Sequence, residues 1–216
     1  MMAKIGKAMA GILFGAVLVS PAMAADSLTS QAWDQPAPAG ATVVDFDSAI
    51  PNGFSLSGNG LITFGSRNGY STPQGDTSKY LMIDGGKAAT ISSQTGFDGI
   101  SLYWGSADSY NTLSILDTAG NLIRAVTGLD IGPGAGAGAA YNTAEVNRYV
   151  TFTLDPSSLQ KIGSLKFESA GTAFELDNVA FFNRPASVPE PATLTLFGAG
   201  IVGLVAASRR RRRKTA

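Results

Sequence analysis

The side chains able to do chemistry in these 216 residues are few in kind, because the chain contains neither histidine nor cysteine. That removes the commonest general base near neutral pH, the commonest metal ligand and all thiol chemistry, and no disulfide can brace the fold. Carboxylates, hydroxyls and lysines remain. Asp and Glu together number 16, so some pair at glycosidase-like spacing is inevitable and says little about glycoside hydrolysis. Asp45, Asp47 and Asp177 are more specific. They fall in the first and last candidate strands and could jointly offer oxygens to a structural calcium, which takes about six to eight. The plainer reading, and the favoured one, is that they are solvated carboxylates at strand ends; no EF-hand loop is present.

Aromatic residues offer a second chemistry, stacking on sugar rings. Trp104 shares a phase with Leu102 and is expected in the core, which leaves Tyr103 and Tyr110 as the exposed candidates for binding a glycan, with Trp33 upstream. The run Gly132-Pro133-Gly134-Ala135-Gly136-Ala137-Gly138 has the look of a phosphate-cradling loop. It lacks the following Lys-Ser/Thr and any βαβ setting, so a surface loop is expected there.

The elements that must position these residues are short. Apolar runs rich in β-branched and aromatic residues, parted by Gly, Asn, Asp and Ser clusters, predict strands at 41–47, 60–65, 79–84, 87–92, 98–105, 111–117, 121–127, 146–154, 163–169 and 173–182. Val150, Phe152 and Leu154 alternate with Tyr149, Thr151 and Thr153, as half-buried antiparallel strands require. Asp117 to Asn121 reads as a hairpin turn, and Asp155-Pro156 as the start of one helical turn ending at Gly163. Phe174 and Leu176 share a phase that Val179 and Phe181 leave, which predicts a bulge near Asp177-Asn178. The expected fold is all-β: an antiparallel β-sandwich, jelly-roll-like, over residues 41–184, with residues 25–40 as a flexible lead-in.

Charge is segregated along the chain. All 16 acidic residues lie between Asp26 and Glu190, against 8 basic ones, so this stretch carries a net charge of −8 although the whole chain is formally neutral. Such a domain repels phosphates and anionic lipid, which argues against nucleic acid as a partner and leaves neutral glycans, cations or basic surfaces.

The two ends carry an address. Lys4 and Lys7, the apolar stretch Ala8 to Val19, the break at Ser20-Pro21 and the small residues Ala22 and Ala24 predict a signal peptide over 1–24, cleaved ahead of Ala25 by signal peptidase after general secretion. At the other end, residues 185–216 form a tail. Val188-Pro189-Glu190-Pro191 precedes an uncharged transmembrane helix at 192–207 and a basic end at 209–214 that begins with Arg209, Arg210, Arg211, Arg212 and Arg213. Sixteen helical residues reach about 24 Å, short of the ~30 Å hydrocarbon core. Gly198, Gly200 and Gly203 weaken the helix further, so the span suits a temporary anchor. The arginines act as a stop-transfer signal on the cytoplasmic side, which leaves the Pro-Glu-Pro just outside the membrane. Its prolines favour extended backbone, the shape a protease-like groove accepts, and Glu190 becomes a specificity handle.

This tail closely resembles the PEP-CTERM sorting domain of exosortase substrates. The resemblance covers about 25 residues and concerns trafficking alone. It implies exosortase, an integral membrane cysteine transpeptidase, as partner, a Gram-negative host that makes exopolysaccharide, a transient inner-membrane anchor with a periplasmic ectodomain, and then the cell surface or extracellular matrix. Phe174-Glu175-Leu176-Asp177-Asn178-Val179 is similar to the last strand of secreted jelly-roll modules, glycan binders among them. The leading expectation is a non-enzymatic surface or matrix protein associated with exopolysaccharide or biofilm and needing no cofactor. A carbohydrate-binding module and a carboxylate-based glycosidase stand as alternatives.

Overall fold

A computed structural model describes residues 25–132 and 142–184. Several sequence expectations lie outside them: the leader 1–24 with Ala22 and Ala24, most of the glycine-rich run after Gly132, and the tail from residue 185 with Val188, Pro189, Glu190, Pro191, the apolar stretch 192–207 and Arg209 to Arg213. Among the described residues, no helix is long and apolar enough to cross a membrane.

The described chain is all-β and antiparallel. In order the strands are β1 (Ser27–Ala32), β2 (Thr42–Val44), β3 (Phe54–Gly58), β4 (Leu61–Phe64), β5 (Lys79–Ile83), β6 (Lys87–Phe97), β7 (Gly99–Gly105), β8 (Asn111–Asp117) and β9 (Leu122–Thr127). A four-residue helix α1 (Gly128–Ile131) follows, then β10 (Arg148–Thr153), β11 (Ile162–Ser169) and β12 (Phe174–Phe182). One sheet has seven strands in the order β1-β10-β7-β12-β5-β4, with β2 also paired to β12. The other has five, in the order β3-β6-β11-β8-β9. From β5 onward the chain changes sheet at every step except the β8–β9 hairpin and the short α1.

The two sheets face each other across one core. Ile100, Leu102, Trp104, Val150, Phe152, Phe174 and Leu176 come from the seven-stranded sheet, and Ile91, Leu113, Ile115, Leu165 and Phe167 from the five-stranded one; all are buried. Trp104 and Phe174 stack with centroids 4.3 Å apart, and Phe167 meets Phe174 edge-on at 5.7 Å. Such pairs add to the area they bury.

Two expectations are corrected and one unpredicted strand is added. Residues 25–40 are no structureless lead-in: β1 pairs with β10 from Ser27↔Thr153 to Ala32↔Arg148 and seals that edge. Its Ser/Thr-rich alternation carries one apolar residue toward the core, Leu28, too little for periodicity to register. Phe54–Gly58 is a strand against β6, where Ser and Gly likewise diluted the pattern. Asp155-Pro156 opens a turn and not a helix, because the Asp155 carboxylate accepts the Ser157 N–H at 2.6 Å and its carbonyl accepts the Ser158 N–H at 2.9 Å. The bulge in the last strand is present: β12 slips against β7 between Asp177 and Ala180, with Asn178 at φ +53, a conformation Asn tolerates better than most side chains.

Candidate functional site

Along β12, Phe174 and Leu176 point into the sandwich, so Glu175 and Asp177 point to the opposite face of the seven-stranded sheet. In an open antiparallel sheet that face meets water. Here both side chains are only 1% exposed. The cover is the loop 65–78 between β4 and β5, fourteen residues rich in Gly, Ser, Asn, Pro and Asp. That composition favours turns. Arg67 and Tyr70 exchange backbone hydrogen bonds of 3.1 Å, closing a tight turn with Gly69 at φ +98.

Polar contacts hold this loop on the sheet. The Ser71 N–H donates to Glu175 Oε1 at 3.1 Å, the Gln74 N–H to Asn147 Oδ1 at 2.9 Å, and the Tyr80 hydroxyl to the Gly65 carbonyl at 2.9 Å. The Tyr103 hydroxyl donates to the Gln74 carbonyl. Ser78 Oγ lies in hydrogen-bonding reach of both Asp76 Oδ1 and Asp177 Oδ2. Pro73 sits so close to Gly105 that a Cβ there would lie 2.9 Å from Pro73 Cα.

Where the loop meets the turns after β7 and before β12 it borders a cavity of about 540 Å³, lined by Arg67, Tyr70, Asp108, Tyr110, Thr172 and Glu175 among others. The Tyr110 ring is seated on Gly171, where a Cβ would come within 2.8 Å of it. Its hydroxyl lies 2.8 Å from both Asp108 Oδ2 and the Thr172 carbonyl. One hydroxyl hydrogen serves only one of these acceptors. Burial raises the Asp108 carboxyl above its ordinary range, against the lowering effect of the Tyr110 hydrogen bond.

Burial has a larger effect on β12. It pushes Glu175 up to about 8, with the Asp108 charge adding to the rise and the Ser71 N–H opposing it. Burial also pushes Asp177 up to about 8, against the Asn178 N–H and with the Asp76 charge adding to the rise. Glu175 Oε2, Asp177 Oδ1 and Asp76 Oδ2 are buried without a hydrogen-bond partner among the described residues. A neutral carboxyl in such a place costs far less than a carboxylate.

The residues singled out from sequence separate on this frame. Tyr103 is 1% exposed beneath the loop and so cannot stack on an incoming sugar. The reason is the loop cover, which turns the outer face of the sheet into a second buried layer. Tyr110 is half-buried and borders the cavity. Asp45, Asp47 and Asp177 serve three separate purposes: Asp45 caps the turn at Ser48, Asp47 Oδ1 accepts the Lys79 N–H at 2.9 Å, and Asp177 lies beneath the loop. Among the described residues, no group of three or more acidic side chains is arranged to hold a metal ion. Ala25 is exposed. Glu175 was missed because its phase on β12 reads as solvent-facing; the unusual length of the 65–78 connection was the available signal.

Comparison with known proteins adds the decisive observation for the tail. Residues 187–213 match the PEP-CTERM protein-sorting motif. The chain carries an exosortase sorting signal. Such a motif implies export and membrane-anchored sorting, with exosortase as the processing partner. No curated protein matches the chain.

Among solved structures, the catalytic unit of a GH87 α-1,3-glucanase from Streptomyces thermodiastaticus shares 15% identity at a TM-score of 0.40, over 72% of this chain and 28% of that one. An exo-β-1,3-galactanase from Phanerochaete chrysosporium shares 20% at 0.37, over 67% and 30%. The catalytic domain of Agl-KA shares 14% at 0.36, over 82% and 32%. The chain thus spans about a third of these structures, and likeness at this level carries no argument about activity. The expectation of a non-enzymatic protein is not upheld: the solved structures the chain resembles are named as glucanases and a galactanase.

Proposed function

We propose that the chain is secreted, held briefly in the inner membrane by the 192–207 helix with its sandwich in the periplasm, and cut at the Pro189-Glu190-Pro191 motif. It is then delivered to the cell surface or extracellular matrix, where it associates with exopolysaccharide. The observation that carries this reading is the sorting motif over 187–213. Physical support comes from the order of its parts in sequence: a glutamate bracketed by prolines, an apolar run too short to be a firm anchor, and an arginine stop. The net charge of −8 between Asp26 and Glu190 favours neutral polysaccharide over anionic polymers as the companion outside the cell. The same reading takes the sandwich as jelly-roll-like, since the strands after β5 mostly alternate between the sheets.

The test is the mass of both mature termini, measured on protein from the native host. The expected chain begins at Ala25 and ends near Glu190 without the arginines. In a Pro189→Ala, Glu190→Ala, Pro191→Ala variant it stays membrane-bound at full tail length. Recovery of native protein that still carries Arg209 to Arg213 would remove the sorting claim.

A further inference from the structure

We infer that the cavity between the 65–78 loop and the turns at Ser106–Tyr110 and Thr172–Glu175 is a binding site for a neutral polyhydroxylated ligand, a saccharide unit, with Glu175 as its central polar contact. The inference deepens the exopolysaccharide reading and rests on it for the biological source of the sugar.

The volume comes first. About 540 Å³ lies within the range of small-molecule sites. The lining mixes donors and acceptors in the way a ring bearing several hydroxyls requires, with Arg67 and the Ser66 and Ser71 hydroxyls set against Asp108 and Glu175. Two tyrosines, Tyr70 and Tyr110, supply aromatic surface.

Glu175 supplies the second, independent observation. It is 1% exposed, its Oε1 is satisfied by the Ser71 N–H, and Oε2 has no partner among the described residues. Buried polar atoms are almost always paired, and Glu175 lines the cavity, so a ligand hydroxyl there is a fitting partner for this acid.

The charge state selects the ligand class. With its proton held up to about pH 8, Glu175 presents a neutral carboxyl, and the Arg67 guanidinium borders the same cavity. A cationic ligand would have to ionise Glu175 and face Arg67. An anionic one would meet Asp108 inside an acidic domain. A hydroxyl accepts from the Glu175 O–H and donates to Asp108 without either cost.

The experiment uses the full chain in a detergent that contains no sugar, titrated calorimetrically with neutral mono- and disaccharides (glucose, galactose, mannose, nigerose) and, in a separate arm, with spermidine. At least one saccharide is expected to bind. Glu175→Leu should weaken it at least about tenfold by removing the hydrogen bond, whereas Glu175→Gln, which keeps a neutral donor, should hold affinity within about threefold. Wild-type affinity should fall between about pH 6 and pH 10 as Glu175 ionises, and the Gln variant should lose most of that dependence. Asp108, Arg67, Tyr70 and Tyr110 also face the cavity, and the Gln variant leaves them in place. Arg67→Ala, on an exposed loop, is the variant that keeps the test open if Glu175→Leu does not fold, with a loss of about threefold expected. The proposal is overturned if no neutral saccharide binds below about 10 mM, if spermidine binds in their place, or if binding survives both Glu175→Leu and Arg67→Ala unchanged. Failure of the sorting reading would show separately, in the termini of the native protein, and would leave the titration untouched.

Discussion

The Ser71 N–H donates to Glu175 Oε1 at 3.1 Å, joining a loop residue to the middle strand of the seven-stranded sheet across 104 positions of sequence. Asp177, two residues along β12, meets the same loop through Ser78. The outer face of a sandwich sheet has thereby become an interior whose polar contacts include two acids held neutral near pH 7 by burial.

Stability should fall as the solution becomes alkaline. Glu175 and Asp177 are raised to about 8 from ordinary values of 4.5 and 3.8, so between those limits the folded chain holds protons that the unfolded chain has released. Their contribution is full below about pH 4 and lost as the pH rises through 8. We expect about 2 kcal/mol or more to be lost between roughly pH 5 and pH 9, read by urea unfolding, with Asp177→Asn and Glu175→Gln each flattening the profile. A wild-type profile flat across that range would show that the two acids are not held neutral.

The opposite sign is expected at Asp98. Burial alone would raise its carboxyl, but the Lys161 ammonium, 2.5 Å from Oδ1, and the Arg184 N–H together hold it below the usual range. Its contribution is present above about pH 4 and lost as the pH falls through its folded value. Asp98→Asn should cost about 1 kcal/mol at neutral pH, with a measurable coupling to Lys161→Met in a double-mutant cycle. A coupling of zero would reduce the pair to a surface contact.

Trp104→Ala should cost about 3 to 5 kcal/mol, because the indole is fully buried and stacked on Phe174. Trp104→Phe should cost markedly less, since it retains the stack and deletes an indole N–H that has no partner among the described residues. Chemical denaturation of both variants decides it; equal losses would mean that the stack contributes little.

Gly105→Ala should loosen the 65–78 loop while leaving the sandwich folded. The added Cβ would meet Pro73 at 2.9 Å, and Pro73 stands in the loop's centre. Arg67 lies exposed on that loop and offers trypsin a site. We expect cleavage after Arg67 to accelerate about tenfold or more in the variant. An unchanged cleavage rate would mean that the loop does not depend on this close approach.

The strands visible beforehand were those whose alternation is strong, such as Val150, Phe152 and Leu154 in β10, and the bulge at Asp177-Asn178 showed as a phase change. β1 and β3 were invisible because Ser, Thr and Gly carry little apolar signal and their pairing depends on β10 and β6, distant in sequence. Tyr110, expected to be exposed, is half-buried beside the cavity. Tyr103, also expected to be exposed, is buried, and nothing local reveals that Gln74 lies over it.

Export and sorting are properties of contiguous segments, in which charge, hydrophobic length and proline act on whatever membrane or enzyme meets them, and so the order of residues sufficed to read them. The cavity is different in kind. Glu175 becomes a neutral, half-satisfied acid only when a loop a hundred residues upstream folds over its strand and excludes water, and solvent exclusion is a property of the packed chain alone.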